Sequence, residues 1–192
     1  MVAIASACEP PEAPCVVAVV LSDSAEAKIL ALARQRGLEA RHVPSGPPRP
    51  RLPAEAEAEW IAALRQAEVD FVVLAGFMRI LSAGFIEAFP QQIVNIHPSF
   101  LPAFPGLQAW KQALAYGVKV TGCTVHFVDH GVDTGPIIAQ QAVPVMDDDT
   151  PESLHERIQE AERVLYPATL AMLAKKTVRI EGRHARIINS PP

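Results

Sequence analysis

The sequence predicts an α/β fold whose first half is a parallel twisted sheet, and three observations carry that expectation. Short, continuous apolar runs at Val16–Leu21, Phe71–Ala75 and Ile93–His97 fit strands buried on both faces. Segments with helical spacing, Ala25–Arg36 and Ala54–Ala67, lie between them. No internal repeat and no linker divides the 192 residues, so 1–192 reads as a single domain with one sizeable core.

Each element has its own signal. Val16–Leu21 is rich in β-branched residues and ends at Ser22-Asp23. Ala25–Arg36 carries Ile29, Leu30 and Leu32 and is stopped by Gly37. A short extended piece follows at Ala40–Val43. Residues 44–53 hold five prolines, which makes that stretch a loop. Ala54–Ala67 sets Trp60, Ile61 and Leu64 on one helix face. Leu107–Tyr116 is a helix closed by Gly117, and Val118–Val128 and Ile137–Val145 are two further strands. Thr150-Pro151 starts a helix, with Thr as its cap and Pro in its first position. That helix is expected to run to Leu165 and to kink or end at Tyr166-Pro167, before a weak strand pair over Thr177–Ile188.

Composition narrows the function classes. A net charge of −4 and a pI near 5.9 give no global basic field for nucleic acid. No apolar run is long enough to span a bilayer, and the N-terminal apolar stretch lacks the basic flank of a secretory signal. Three cysteines, Cys8, Cys15 and Cys123, have no metal-ligand spacing and read as reduced thiols of a cytoplasmic protein. Small-molecule substrates, no membrane, no metal and a monomer or homodimer are the expectations.

Two short segments carry candidate chemistry. Asn95 and His97 are two apart on a strand, so they leave the same face, at the carboxyl end just before Pro98 where open α/β sheets bind ligands. The alternative for His97 is a structural imidazole held by backbone carbonyls. Asp129-His130-Gly131-Val132-Asp133-Thr134-Gly135-Pro136 lies between two strands and reads either as a binding loop or as a Gly-rich turn with surface acids. His155, Gln159 and Glu162 share a helix face, which solvation alone could explain. His126 projects from the strand before the 129–136 segment and is expected to act at most through its neighbours. The run Asp147-Asp148-Asp149 suits the N-terminal dipole of the next helix better than a cation site.

Taken together, Asn95–Gly106, Asp129–Gln140 and Leu74–Leu81 resemble, nearly letter for letter and with matching spacing, the glycinamide ribonucleotide formyltransferase family. The resemblance extends over about residues 1–190. It implies a Rossmann-like formyltransferase fold with antiparallel C-terminal strands and flanking helices. It also implies transfer of a formyl group from 10-formyltetrahydrofolate to the amine of glycinamide ribonucleotide, in purine (IMP) biosynthesis. Residue by residue, it makes His97, Asn95 and Asp133 the catalytic trio. Met78, Arg79, Ile80 and Leu81, with Asn95 and Asp129, His130, Gly131, Val132 and Asp133, would contact the folate. Gln159 and Glu162 would hold the ribonucleotide, and Arg49 or Arg51 stands near the family's contact to the folate glutamate tail.

Those residue types suit the reaction. Attack of an amine on a formyl carbon builds negative charge on oxygen, which a cationic His97 and the Asn95 amide could stabilise. Asp133 beside His97 would favour the imidazolium, and its carboxylate could order a proton-carrying water. Family members begin with a strand and a Gly-Ser-Asn type turn that binds phosphate. Residues 1–8 instead match the interior of the helix after that turn, so the natural chain is expected to start upstream of Met1. Methionyl-tRNA formyltransferase would require a further basic C-terminal domain, and formyltetrahydrofolate hydrolase a second His in place of Pro98. A catalytically silent folate-binding protein is the alternative from another class.

Overall fold

The computed structural model describes residues 1–46 and 51–188. The chain divides into two compact units, Met1–Ile93 and Val94–Pro192. Arg49 lies outside the described residues.

The first unit contains α1 (Val2–Cys8), β1 (Val20–Ser22), α2 (Lys28–Gln35), β2 (Ala40–His42), α3 (Ala54–Gln66), β3 (Val72–Leu74) and α4 (Ala83–Ala88). Strands β1 and β2 pair in parallel, as alternation with a helix requires, with Val20 opposite Ala40 and Ser22 opposite His42. The strand expected over residues 16–21 is shorter and shifted, because its ladder is confined to the three residues facing β2. Trp60 and Leu64 are buried on α3, as their spacing predicts. Helix α4 has no counterpart in the sequence reading. Its six residues are too few for a periodic signal, but the Ser82 hydroxyl caps it by accepting from Phe85 N, and Phe85 anchors it in the core.

β4 (Ile93–His97), α5 (Ala109–Tyr116), β5 (Val120–Phe127), β6 (Ile137–Pro144), α6 (Pro151–Lys175), β7 (Thr177–Glu181) and β8 (His184–Ile188) follow. From Val94 onward the strands lie in the order β4-β5-β6-β8-β7. The β4-β5, β5-β6 and β7-β8 pairs are antiparallel. Gly117 closes α5 in the left-handed region, φ 81°, which a residue without Cβ adopts freely. Cys123, Val143, Leu154 and Ile158 form a core in which α6 packs on β5 and β6.

Helix α6 starts as Thr150-Pro151 predicts, with Thr150 and Ser153 satisfying each other's backbone N–H. It does not stop at Leu165. It runs through Pro167 to Lys175 because buried groups on both sides of the proline hold it: Tyr166, whose hydroxyl donates to Val94 O at 2.9 Å, and Leu170 and Leu173 beyond. Asp149 accepts from Met146 N and Ser153 Oγ and pairs with Arg157 at 2.7 Å. Those contacts, Arg157 foremost, hold its carboxyl well below the usual carboxylate range. The acidic run thus serves the helix start.

Candidate active site

Strand alternation places Asn95 and His97 on one face of β4, and the antiparallel register sets His126 and Thr124 of β5 directly opposite them. His97 is 5% exposed. Its Nδ1 lies 3.3 Å from Asp133 Oδ2 and its Nε2 lies 2.9 Å from Phe104 O. The ring thus meets a backbone carbonyl on one nitrogen, as the structural alternative expects, and a carboxylate on the other. Only the imidazolium can donate to both acceptors together.

Asp133 Oδ2 also accepts from Gly106 N at 2.8 Å. The loop after β4 and the loop after β5 are thus joined through the same carboxylate that faces His97. Phe104, Gln108 and Asp133 all have positive φ, between 55° and 56°, without being glycine. Such a conformation costs about 1–3 kcal/mol per residue and persists where surrounding contacts enforce it. Here the contacts of Phe104 O and the Asp133 carboxylate do so.

His126 acts through a neighbour, as the sequence reading allowed, and that neighbour is Asn95. It is 2% exposed, and burial pushes its imidazole below the ordinary value, with the Phe127 carbonyl and Asp133 opposing. Nδ1–H donates to Phe127 O at 2.8 Å, which fixes the tautomer and leaves the Nε2 lone pair to accept from Asn95 Nδ2 at 3.3 Å. The Asn95 amide is thereby oriented. Asp133 Oδ1 stands 3.7 Å from the same Nε2. The signal was cross-strand register, which no local motif contains.

The Thr124 hydroxyl locks the loop after β4. It accepts from Leu101 N at 3.0 Å and Gln140 Nε2 at 3.0 Å, and donates to Ser99 O at 2.8 Å. Gln140 Nε2 also reaches Leu101 O at 2.8 Å. Gly135 abuts the other side of the site. A Cβ there would meet Phe127 O at 1.8 Å, the carbonyl that holds His126. Gly135→Ala is therefore expected to lower both the melting temperature and turnover by displacing a backbone carbonyl. An unchanged melt with full activity would show that this strand end yields freely.

In the 129–133 segment, Asp129 Oδ1 accepts from Gly131 N at 3.0 Å and Thr134 Oγ1 at 2.6 Å, leaving Val132 half exposed. On α6, His155 Nε2 accepts from Gln159 Nε2 at 3.3 Å, and Trp110 stacks on the His155 ring at 3.7 Å. Burial pushes the Glu162 carboxyl up to about 7, Arg163 opposing. In the first unit, the Arg79 guanidinium is committed to Asp23, at 2.9 Å, and to Ser45. Met78 and Ile80 are exposed, whereas Leu81 is buried in the core, and the Arg51 backbone bridges to Ile80.

Residues 1–170 match the model of the formyl transferase family. The chain belongs to that family. Among formyl transferases, it is 56% identical over 124 residues to phosphoribosylglycinamide formyltransferase of Mycobacterium tuberculosis, covering 65% of this chain and 58% of that protein. It is 43% identical over 159 residues to the enzyme of the same name from Bacillus subtilis, covering 81% of this chain and 79% of that one. The crystal structure of glycinamide ribonucleotide transformylase 1 from Symbiobacterium toebii matches with a TM-score of 0.90 at 47% identity, covering 97% of this chain and 87% of that one. The chain thus spans less than two thirds of the Mycobacterium relative. The formyl transferase fold is mixed α/β with flanking helices, as the sequence predicts.

Proposed function

We propose that this chain transfers the formyl group of 10-formyltetrahydrofolate to the amine of glycinamide ribonucleotide, in cytoplasmic purine biosynthesis. One observation carries the proposal: a buried His97, flanked by Asp133 and sharing a strand face with Asn95, in a formyl transferase chain whose relatives bear that name.

The chemistry follows from the geometry. The amine attacks the formyl carbon, a C–N bond forms, and negative charge gathers on the formyl oxygen. Asn95 commits one amide N–H to His126, and its second N–H has no partner among the described residues. That N–H is the free donor for the developing oxyanion, and His97 joins it by exchanging its bond to the Phe104 carbonyl for one to the formyl oxygen. Collapse breaks the bond between the formyl carbon and the folate nitrogen, and the proton lost by the amine ends on that nitrogen. Asp133, beside His97, supplies the carboxylate that orders the transfer. Gln159 and Glu162 on α6 hold the ribonucleotide, and residues 129–133 contact the folate; the first unit's residues 78–81 are assigned to the folate by their own resemblance to the family's loop.

Isothermal titration with the ribonucleotide and with a folate analogue, alongside a formyl-transfer assay, tests the proposal. Binding of both with transfer supports it. Binding of the folate analogue alone identifies a silent folate binder and overturns it. The folate assignment has its own test. Ile80 is 40% exposed, so Ile80→Asp is expected to leave the circular dichroism spectrum intact and abolish analogue binding. Leu81, at 8% exposure, is a core residue whose substitution would confound folding with binding. Retained affinity in Ile80→Asp would place the pterin elsewhere.

A further inference from the structure

Two of the three cysteines meet in the first unit, and neither is among the residues assigned above. α1 ends at Cys8, and the chain reverses through a turn closed by Ala13 N donating to Pro10 O at 2.8 Å. The reversal brings Cys15 Sγ to 3.3 Å from Cys8 Sγ, both half-buried. Three prolines, Pro10, Pro11 and Pro14, stiffen the connection, so the approach of the thiols is built into the backbone. The end of α1 is further fixed by Arg36, which donates to Ser6 Oγ at 3.0 Å and pairs with Glu9. A disulfide bond of about 2.05 Å needs the sulfurs to close by only ~1.2 Å.

We propose that Cys8 and Cys15 are a dithiol modification site that takes small-molecule disulfides as its oxidant. Cys8 releases its proton to water and the thiolate attacks one sulfur of the small disulfide, forming a mixed disulfide and expelling a small thiolate. Cys15 then releases its proton and attacks the Cys8 sulfur, forming the Cys8–Cys15 bond and expelling the second small thiolate. The two released protons restore the two small thiols, so the protein dithiol loses two electrons and the oxidant gains them. Burial, and after it the hydrogen bond to Cys15, push the Cys8 thiol up to about 12. The first attack is therefore slow. The second is fast because its partners are already in contact, and the mixed disulfide does not accumulate.

Cys123 is an internal control. It is fully buried in the core, and burial with Glu162 nearby pushes its thiol up to about 12. The experiment treats the intact chain with oxidised glutathione at mildly alkaline pH, followed by thiol titration, intact mass and peptide mapping. The expected result is loss of two of the three thiols together, a mass lower by two hydrogens and a peptide linking Cys8 to Cys15. A reductant reverses the change, and the oxidised form melts about 5–10 °C higher, as a short closed ring implies. Cys15→Ser is expected to trap a stable glutathione adduct on Cys8. Independent adducts on Cys8 and Cys15 in the unaltered chain, or retention of all three thiols while a small reference dithiol oxidises, would overturn the proposal.

Discussion

His97→Ala is expected to lower turnover by about 10²–10⁴-fold while folate-analogue affinity stays within a few-fold of the unaltered chain. The loss follows from the position of the ring. Among the described residues it is the one side chain that bridges the Asp133 carboxylate and the Phe104 carbonyl, and it shares its strand face with Asn95. Alanine removes the donor proposed for the developing charge and leaves the Asp133 carboxylate with the Gly106 amide. Steady-state kinetics and a titration on the same preparation check the result. Near-normal turnover would remove His97 from the mechanism. Loss of analogue binding in step with turnover would give it a structural task instead.

The second large effect is on stability. Glu162 is buried enough that its carboxyl is pushed up to about 7 from 4.5. Below pH 4.5 the carboxyl is protonated in both folded and unfolded chains and carries no penalty. Between pH 4.5 and 7 the unfolded chain ionises first, and stability falls as pH rises. Above the folded value the penalty is complete, at about 3 kcal/mol for a shift of this size. Glu162→Gln is therefore expected to raise the melting temperature by about 6–12 °C at pH 8 and to change it little near pH 4. Paired melts at the two pH values check this, and an equal shift at both would mean that ionisation of Glu162 is not the cause. A carboxylate kept where it weakens the apo protein is consistent with its proposed task, since stability is commonly sacrificed at binding sites.

Much of this was legible in the sequence, for reasons that differ by element. Strand β4 appeared with its observed bounds because an apolar run stopped by Pro98 has no competing period. The start of α6 was legible because cap chemistry is local, and its end was misplaced because Pro167 is overridden by the tertiary burial of Tyr166, Leu170 and Leu173. Asn95 and His97 emerged from alternation, and Asp133 from the motif resemblance. His126 was read as acting only through its neighbours, which its bond to Asn95 fits, but the identity of that neighbour is a property of register. Phe104 O and Gly106 N were invisible for a simpler reason: a backbone group carries no letter.

The Thr124 hydroxyl has both lone pairs and its proton committed, to Leu101 N, Gln140 Nε2 and Ser99 O. A saturated hydroxyl tolerates no isosteric replacement, since valine would strand an amide and a carbonyl in the interior. Gln140 is bound by the same arithmetic, because Leu101 O depends on it. Neither position can drift alone without exposing the other's unmet partner, so their substitution energies should be non-additive. Positions 124 and 140 therefore form one thermodynamic unit, whose strength a double-mutant cycle would read directly.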